Sequence, residues 1–333
     1  MTPLHLASQN GHTEVARALL EHGADASVQN ERKWTPLHLA SYKGRMEVAR
    51  ALLEHGADAS VQNERKSTPL HLASHKGHKE VARALLEHGA DASVQGERKW
   101  TPLHLASQNG HTEVARALLD HGADASAQNE RKWTPLYLAS QNGHTEVARA
   151  LLEHGADASV QEVDKWTPLH LASQNGHTEV ARALLEHGAD ASVQGGRKWT
   201  PLHLASQNGH TEVTRALLDH GADASVQVER KWTSLHLASQ NGHMEVARAL
   251  LEHGSDPSVQ NENNSTPLHI ALQCLCHIFS TQFPPGSSCR HLEVARVILE
   301  HDADTIAELT QDQREWMARL PGITQSLLMS IST

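Results

Sequence analysis

Histidine is the first residue to weigh as chemistry. The chain holds 27 histidines in 333 residues, and all but His75 and His277 recur at three fixed places: Thr-Pro-Leu-His, Gly-His and Glu-His-Gly. A helical metal site sets its ligands three or four residues apart, as in His-Glu-x-x-His. His38 and His55 of one repeat stand seventeen residues apart, so the spacing predicts structural histidines that hydrogen-bond turns and helices. Cys274, Cys276, Cys289 and His291 form Cys-x-Cys-x12-Cys-x-His, which has the ligand count of a tetrahedral zinc site. Their spacing is not one of the usual pairs, and His291 already belongs to the Gly-His series, so a loop inserted into the array is the competing expectation. Nucleophilic catalysis has no foothold: Gly-x-Ser-x-Gly and the phosphate-binding Gly loop are both missing from the sequence. A Glu-His pair repeated at every helix end is expected to be structural. No enzyme activity and no cofactor are predicted.

Tryptophan supplies the strongest candidate. Trp34, Trp100, Trp133, Trp166, Trp199 and Trp232 fall in register, each just before a Thr. In register they predict an exposed apolar row, and such rows mark contact surfaces. Trp and Arg also dominate binding hot spots. Arg32, Arg65, Arg98 and Arg131 flank the row. The competing expectation is a set of internal staples, each ring packed on the next loop under a Lys or Arg. Tyr42 with Lys43, and His75 with Lys76, replace the Gln-Asn of most repeats, which makes repeats two and three the distinctive patch.

What must position these residues is a period. Thr-Pro-Leu-His-Leu-Ala or a close variant starts at residues 2, 35, 68, 101, 134, 167, 200, 233 and 266, always in steps of 33. Internal repetition of this kind decides the architecture. In the repeat at 30–62, Thr35 is a good N-cap and Pro36 fits the first helical position, where its missing N–H costs nothing. Leu37, Leu39 and Ala40 lie in a first helix that Gly44 stops. A second helix carries Val48, Ala49, Ala51, Leu52 and Leu53, and Gly56 ends it beside His55. Helices this short are unstable alone, so each repeat must bury its apolar faces on its neighbours as a one-dimensional stack.

Thr-Pro-Leu-His-Leu-Ala, then Gly-His-x-Glu-Val, then Leu-Leu-Glu-His-Gly-Ala-Asp at this period resembles the ankyrin repeat. The resemblance implies an all-α repeat solenoid: a helix-turn-helix plus a β-hairpin or loop in every 33 residues. It also implies recognition of proteins through the hairpin tips and the concave face of the first helices. Two departures recur. The family's turn Gly is replaced by Lys33, Lys66, Lys99, Lys132, Lys165, Lys198 and Lys231. A non-Gly residue is disfavoured at positive φ, so either a different turn or mild strain is expected there. The family's hairpin Asn is replaced by Ser27, Ser60 and their equivalents, which removes any role resting on that side chain.

The array is expected to occupy 1–304, with an insertion at about 274–290 in the ninth repeat. A tail at 305–333 follows, in which Thr310 caps a shielding helix bearing Trp316. The first repeat has no loop ahead of it and is as apolar as the internal ones, which predicts a fragment or an upstream covering segment. Net charge is −10, from 29 basic and 39 acidic residues, with no basic stripe of the kind nucleic acid requires. Neither a signal peptide nor a membrane span is legible. A monomeric intracellular protein is expected, cytoplasmic first and nuclear second. Three functions compete: a scaffold or adaptor for a protein partner, a structural spacer, and the sensor array of a larger signalling protein of the nucleotide-binding-receptor type. Near-identical repeats offer a nearly uniform surface, which suits a repetitive partner or weak multivalent contact.

Overall fold

The computed structural model describes residues 1–279 and 290–302, with side chains at 1–273 and 290–302. It is all-helical: among the described residues, every regular element is an α-helix or a single 3-10 turn. The chain divides into two compact parts, residues 1–163 and 164–333. The first part stacks five helix pairs: α1 Pro3–Asn10 with α2 Thr13–Glu21, α3 Pro36–Lys43 with α4 Met46–Glu54, and α5 Pro69–Lys76 with α6 Lys79–Glu87. Its last two pairs are α7 Pro102–Gln108 with α8 Thr112–Asp120, and α9 Pro135–Asn142 with α10 Thr145–Glu153. The second part continues the pattern with α11 Pro168–Asn175, α12 Thr178–Glu186, α13 Pro201–Asn208 and α14 Thr211–Asp219. It ends with α15 Ser234–Asn241, α16 Met244–Glu252, α17 Pro267–Phe279 and α18 Arg290–His301.

The local rules read in the sequence operate in each pair. Thr35 is extended (φ −91°, ψ 167°), and its Oγ1 accepts the His38 N–H while Pro36 opens the helix. The His38 ring answers, its Nδ1 accepting the Thr35 N–H at 3.1 Å, so a histidine takes the place that Glu or Gln fills in the usual capping box. Gly44 stops α3 in the left-handed region at φ 69°. At the end of α4 the Ala57 N–H reaches Leu52 and the Gly56 N–H reaches Leu53, which is a Schellman close. The His55 Nδ1–H donates to the Ala51 carbonyl at 2.9 Å and satisfies one of the last orphan acceptors.

The core is built from Leu and Ala in register. Leu37, Leu52, Leu70, Leu85, Leu103 and Leu118 are fully buried, and the Ala residues beside them bring the helices close. Odd-numbered helices pack on odd and even on even within each part. Leu6 and Val15 of the first repeat are exposed, at 50% and 52%, where their equivalents Leu39 and Val48 are buried. In the ninth repeat α17 continues for 13 residues, so the first part of the expected insertion extends the helix to Phe279. The tail at 305–333, with Thr310 and Trp316, lies outside the described residues.

Candidate functional site

The segments that join successive pairs, such as 22–35 and 55–68, carry a five-residue turn at their tips, and one position decides its form. Where it is Asn, the side chain organises the turn. Asn30 Oδ1 accepts the N–H groups of Arg32 and Trp34 at 2.9 and 3.0 Å. The Asn30 N–H also donates to the Trp34 carbonyl, and the Lys33 N–H donates to that of Asn30. Asn63, Asn129 and Asn261 do the same and are buried. Where the position is Gly96, Gly195 or Val228, this acceptor is lost and a 3-10 turn forms. Two residues then enter the left-handed region instead of one: Arg98 with Lys99, Arg197 with Lys198, and Arg230 with Lys231. All seven turn lysines sit at positive φ, between 54° and 63°. Each of these lysines therefore carries the backbone cost of a left-handed side chain. No strand forms among the described residues, yet neighbouring tips are joined by backbone bonds. The Glu64 N–H donates to the Arg32 carbonyl at 3.4 Å, and the Glu130 N–H to that of Arg98 at 3.1 Å.

All six row tryptophans are half-buried. Trp34 packs on His38, Trp100 on His104, Trp166 on His170, Trp199 on His203 and Trp232 on His236, with ring centroids 5.7–6.0 Å apart. Trp133 stacks on Tyr137, the residue that replaces His in that repeat. Arg131 lies over the Trp133 ring at 5.0 Å. The Trp backbone is engaged as well. The His5 Nε2–H donates to the Trp34 carbonyl at 3.0 Å, His71 to Trp100 at 3.1 Å and His104 to Trp133 at 3.0 Å. A carbonyl can only accept, and the Nδ1 of each ring accepts a Thr N–H, so the hydrogen-bonded proton is the one on Nε2. Burial pushes His38, His71, His104, His170 and His203 down to about 4, against the opposing pull of their carbonyl partners. The row thus combines a staple between repeats with a partly exposed ring edge.

The other histidine series are equally committed. The His78 Nε2–H donates to the Tyr42 carbonyl, and its ring fills the space a Cβ on Gly44 would occupy, 2.6 Å from that point. His75 stands four residues after His71 and three before His78, a ligand-like spacing that the period had hidden. His71 and His78 are nonetheless bonded to backbone carbonyls. Among the described residues no group of three His, Cys, Asp or Glu side chains converges. Cys274, Cys276 and Cys289 lie outside the described side chains, while the His291 Nε2–H donates to the Gln240 carbonyl at 3.0 Å as its repeat position requires.

The distinctive residues of repeats two and three come together. Tyr42 meets Trp34 edge-on at 5.7 Å. The ammonium groups of Lys43 and Lys76 lie 5.5 and 4.9 Å from the centre of the Tyr42 ring. His75 is exposed beside them; partial burial first, then the charges of Lys76 and His111, hold its ring below the usual histidine range. Arg32 and Arg65 are exposed on the loops just ahead of α3 and α5. Sequence spacing did not reveal the Trp34–Tyr42 contact, because it depends on how a loop returns over its own helix.

The ankyrin profile described as "Ankyrin repeats (3 copies)" matches residues 1–63, 55–129, 121–195, 158–228, 190–261 and 224–309. Ankyrin repeat domain-containing protein 13B of Mus musculus and that of Homo sapiens are each 59% identical over 34 residues. That is 10% of this chain and only 5% of theirs. The crystal structure of the human ASB11 ankyrin repeat domain is similar with a TM-score of 0.59 and 26% identity, covering 71% of this chain and 98% of that one. No helix among the described residues is long and apolar enough to cross a membrane.

Proposed function

Because the chain belongs to the ankyrin repeat family, whose members generally serve as protein-interaction modules, we propose that it is a scaffold or adaptor. Its partner would bind along the loop tips and the first-helix face. The observation that carries this reading is the asymmetry between the two helix rows. The second helices present matched charges that pair with each other: Arg182 with Glu179 and Glu212, and Arg215 with Glu212 and Glu245. The tip side instead gathers half-buried aromatics and exposed Arg and Lys. An interface built there has apolar anchors inside a polar rim. We assign no catalysis to this face; the histidines that would supply it are buried, which favours their neutral form, and their ring nitrogens are committed to backbone groups.

One observation favours the spacer reading instead. Each tryptophan ring packs on the helix that follows it, and the Trp34, Trp100, Trp133 and Trp199 carbonyls accept from the preceding repeat, so the row has a use without a ligand. The sensor array of a longer signalling protein would use the same face as the adaptor. Three cysteines confined to one stretch fit a reducing compartment, so we place the protein inside the cell and treat it as a monomer.

The test uses changes that the array itself contains. Repeats three and nine carry Ser67 and Ser265 at the Trp position, so Trp→Ser at all six sites should keep the fold. Affinity capture with the wild-type chain and the Trp→Ser chain, matched by circular dichroism, should lose specific prey from the variant. Identical prey from both would leave the spacer reading ahead.

A further inference from the structure

The tip-side row changes character at one place. In the first helices the residues equivalent to Tyr42 and Lys43 are Gln-Asn in most repeats, and the Asn side chains of repeats four, five, seven and eight bond back to their own helix, as Asn142 does to Leu138. At repeats two and three that neutral pair becomes Tyr42-Lys43 and His75-Lys76. Both ammonium groups sit against one phenol ring, and neither makes an ion pair among the described residues. Arg32 and Arg65 on the adjoining tips make no ion pair among the described residues, and neither do Arg98, Arg131 and Arg230 on equivalent tips, where only Arg197 pairs, with Glu229 at 3.6 Å. Each of these two tips reads Glu-Arg-Lys. The result is a local excess of positive charge on a chain whose net charge is −10, floored by the Trp34–Tyr42 pair.

We infer that repeats two and three recognise an extended acidic peptide, with its carboxylates on Lys43, Lys76, Arg32 and Arg65 and an apolar side chain on the Trp34–Tyr42 edge. The inference rests on the protein-recognition reading and gives the partner its chemistry. Unpaired cations beside an aromatic floor favour mixed carboxylate and apolar contact, with charge setting both selectivity and encounter rate. A continuous nucleic-acid backbone fits less well, because Glu31 and Glu64 interrupt the strip and phosphate binding wants an unbroken basic face.

The test is selection of a displayed library of random 12-residue peptides on the full chain. The comparison variant is Lys43→Asn/Lys76→Asn, which restores the residue of the sister repeats and so keeps the fold. Asp- and Glu-rich peptides should be enriched. Their affinity should fall on the order of tenfold or more in the variant and fall again between 0.1 M and 0.5 M NaCl. Tyr42→Gln should weaken the same peptides with little change in salt dependence. Enriched peptides without an acidic excess, or peptides that bind the variant equally, would overturn the inference and leave protein recognition standing. A 20-nucleotide single strand that displaces the peptides and binds more tightly would overturn it in favour of nucleic acid. No enrichment at all would count against both readings.

Discussion

At the scale of single residues, the sequence has kept two costs that a more stable array would not carry. The first is a row of buried hydroxyls. Ser41, Ser74, Ser107 and their equivalents are fully buried, and their Oγ atoms have no hydrogen-bond partner among the described residues. An unsatisfied buried hydroxyl costs free energy, and Ser is a poorer helix former than Ala. Ser74→Ala and Ser107→Ala should each raise stability by about 0.5–1 kcal/mol, read as a higher urea midpoint with unchanged m-value. The second cost is the row of turn lysines at positive φ. Lys66→Gly relieves a left-handed side chain while adding freedom to the unfolded chain, so the net gain should be about 0.5–1 kcal/mol. A loss of stability from Lys66→Gly would mean that the lysine side chain contributes more than its backbone strain removes.

At the scale of elements, the glycines that end helices differ in a way their identical motifs conceal. Gly44, which ends a first helix, and Gly56, which ends a second, both have positive φ, at 69° and 76°. A Cβ on Gly56 would meet nothing within 4 Å, but one on Gly44 would lie 2.6 Å from His78 Nδ1. Gly56→Ala should therefore cost about 1 kcal/mol from backbone strain alone. Gly44→Ala should cost about 2 kcal/mol or more, because the His78 ring must also leave its bond to Tyr42. Adding His78→Ala to Gly44→Ala should recover the difference, as a double-mutant cycle would detect. Equal costs for the two glycine variants would show that the His78 contact is not the cause. The same contact explains Gly-His as a paired signal: Gly44, Gly77, Gly110, Gly176 and Gly209 each make room for the histidine of the next repeat, and Gly11 for Arg45.

At the scale of the whole molecule, the neutral histidines make stability depend on acid. His38, His71, His104, His170 and His203 lie at about 4 when folded, from an ordinary 6.5. Between these values the unfolded chain binds protons that the folded chain refuses. Stability is therefore complete above about pH 6.5 and is lost as pH falls toward 4. Near 1.4 kcal/mol per unit of difference, each histidine removes on the order of 2 kcal/mol by pH 5. Thermal melts should fall steeply from pH 6.5 to 5. His104→Tyr, which copies the residue found at Tyr137, should flatten that slope by about one proton. A melting temperature unchanged over this range would refute the buried neutral state.

Much of this molecule was legible before any coordinates. The 33-residue period, Thr35 as cap, Pro36 at the helix start and Gly44 and Gly56 at the helix ends are local or periodic facts, and each rests on the conformational preference of one residue. The repeat-wise placement of His38, His55 and His78 as structural groups belongs to the same class, because a side chain repeated at fixed phase meets the same partner in every repeat. The half-burial of the Trp row was not legible, since period places a ring at a loop tip without saying which neighbour it folds against. The choice between one and two left-handed residues per loop turned on Asn30 against Gly96, a difference whose meaning appears only when Asn Oδ1 is seen to hold two backbone N–H groups. Tyr42, Lys43 and Lys76 gather on one ring because stacking turns a separation of 33 residues into contact. Sequence alone determined the repeat and its helix signals, because those act within a few residues; tertiary packing decided which charges and rings share a surface, because those distances exist only once the helices are stacked.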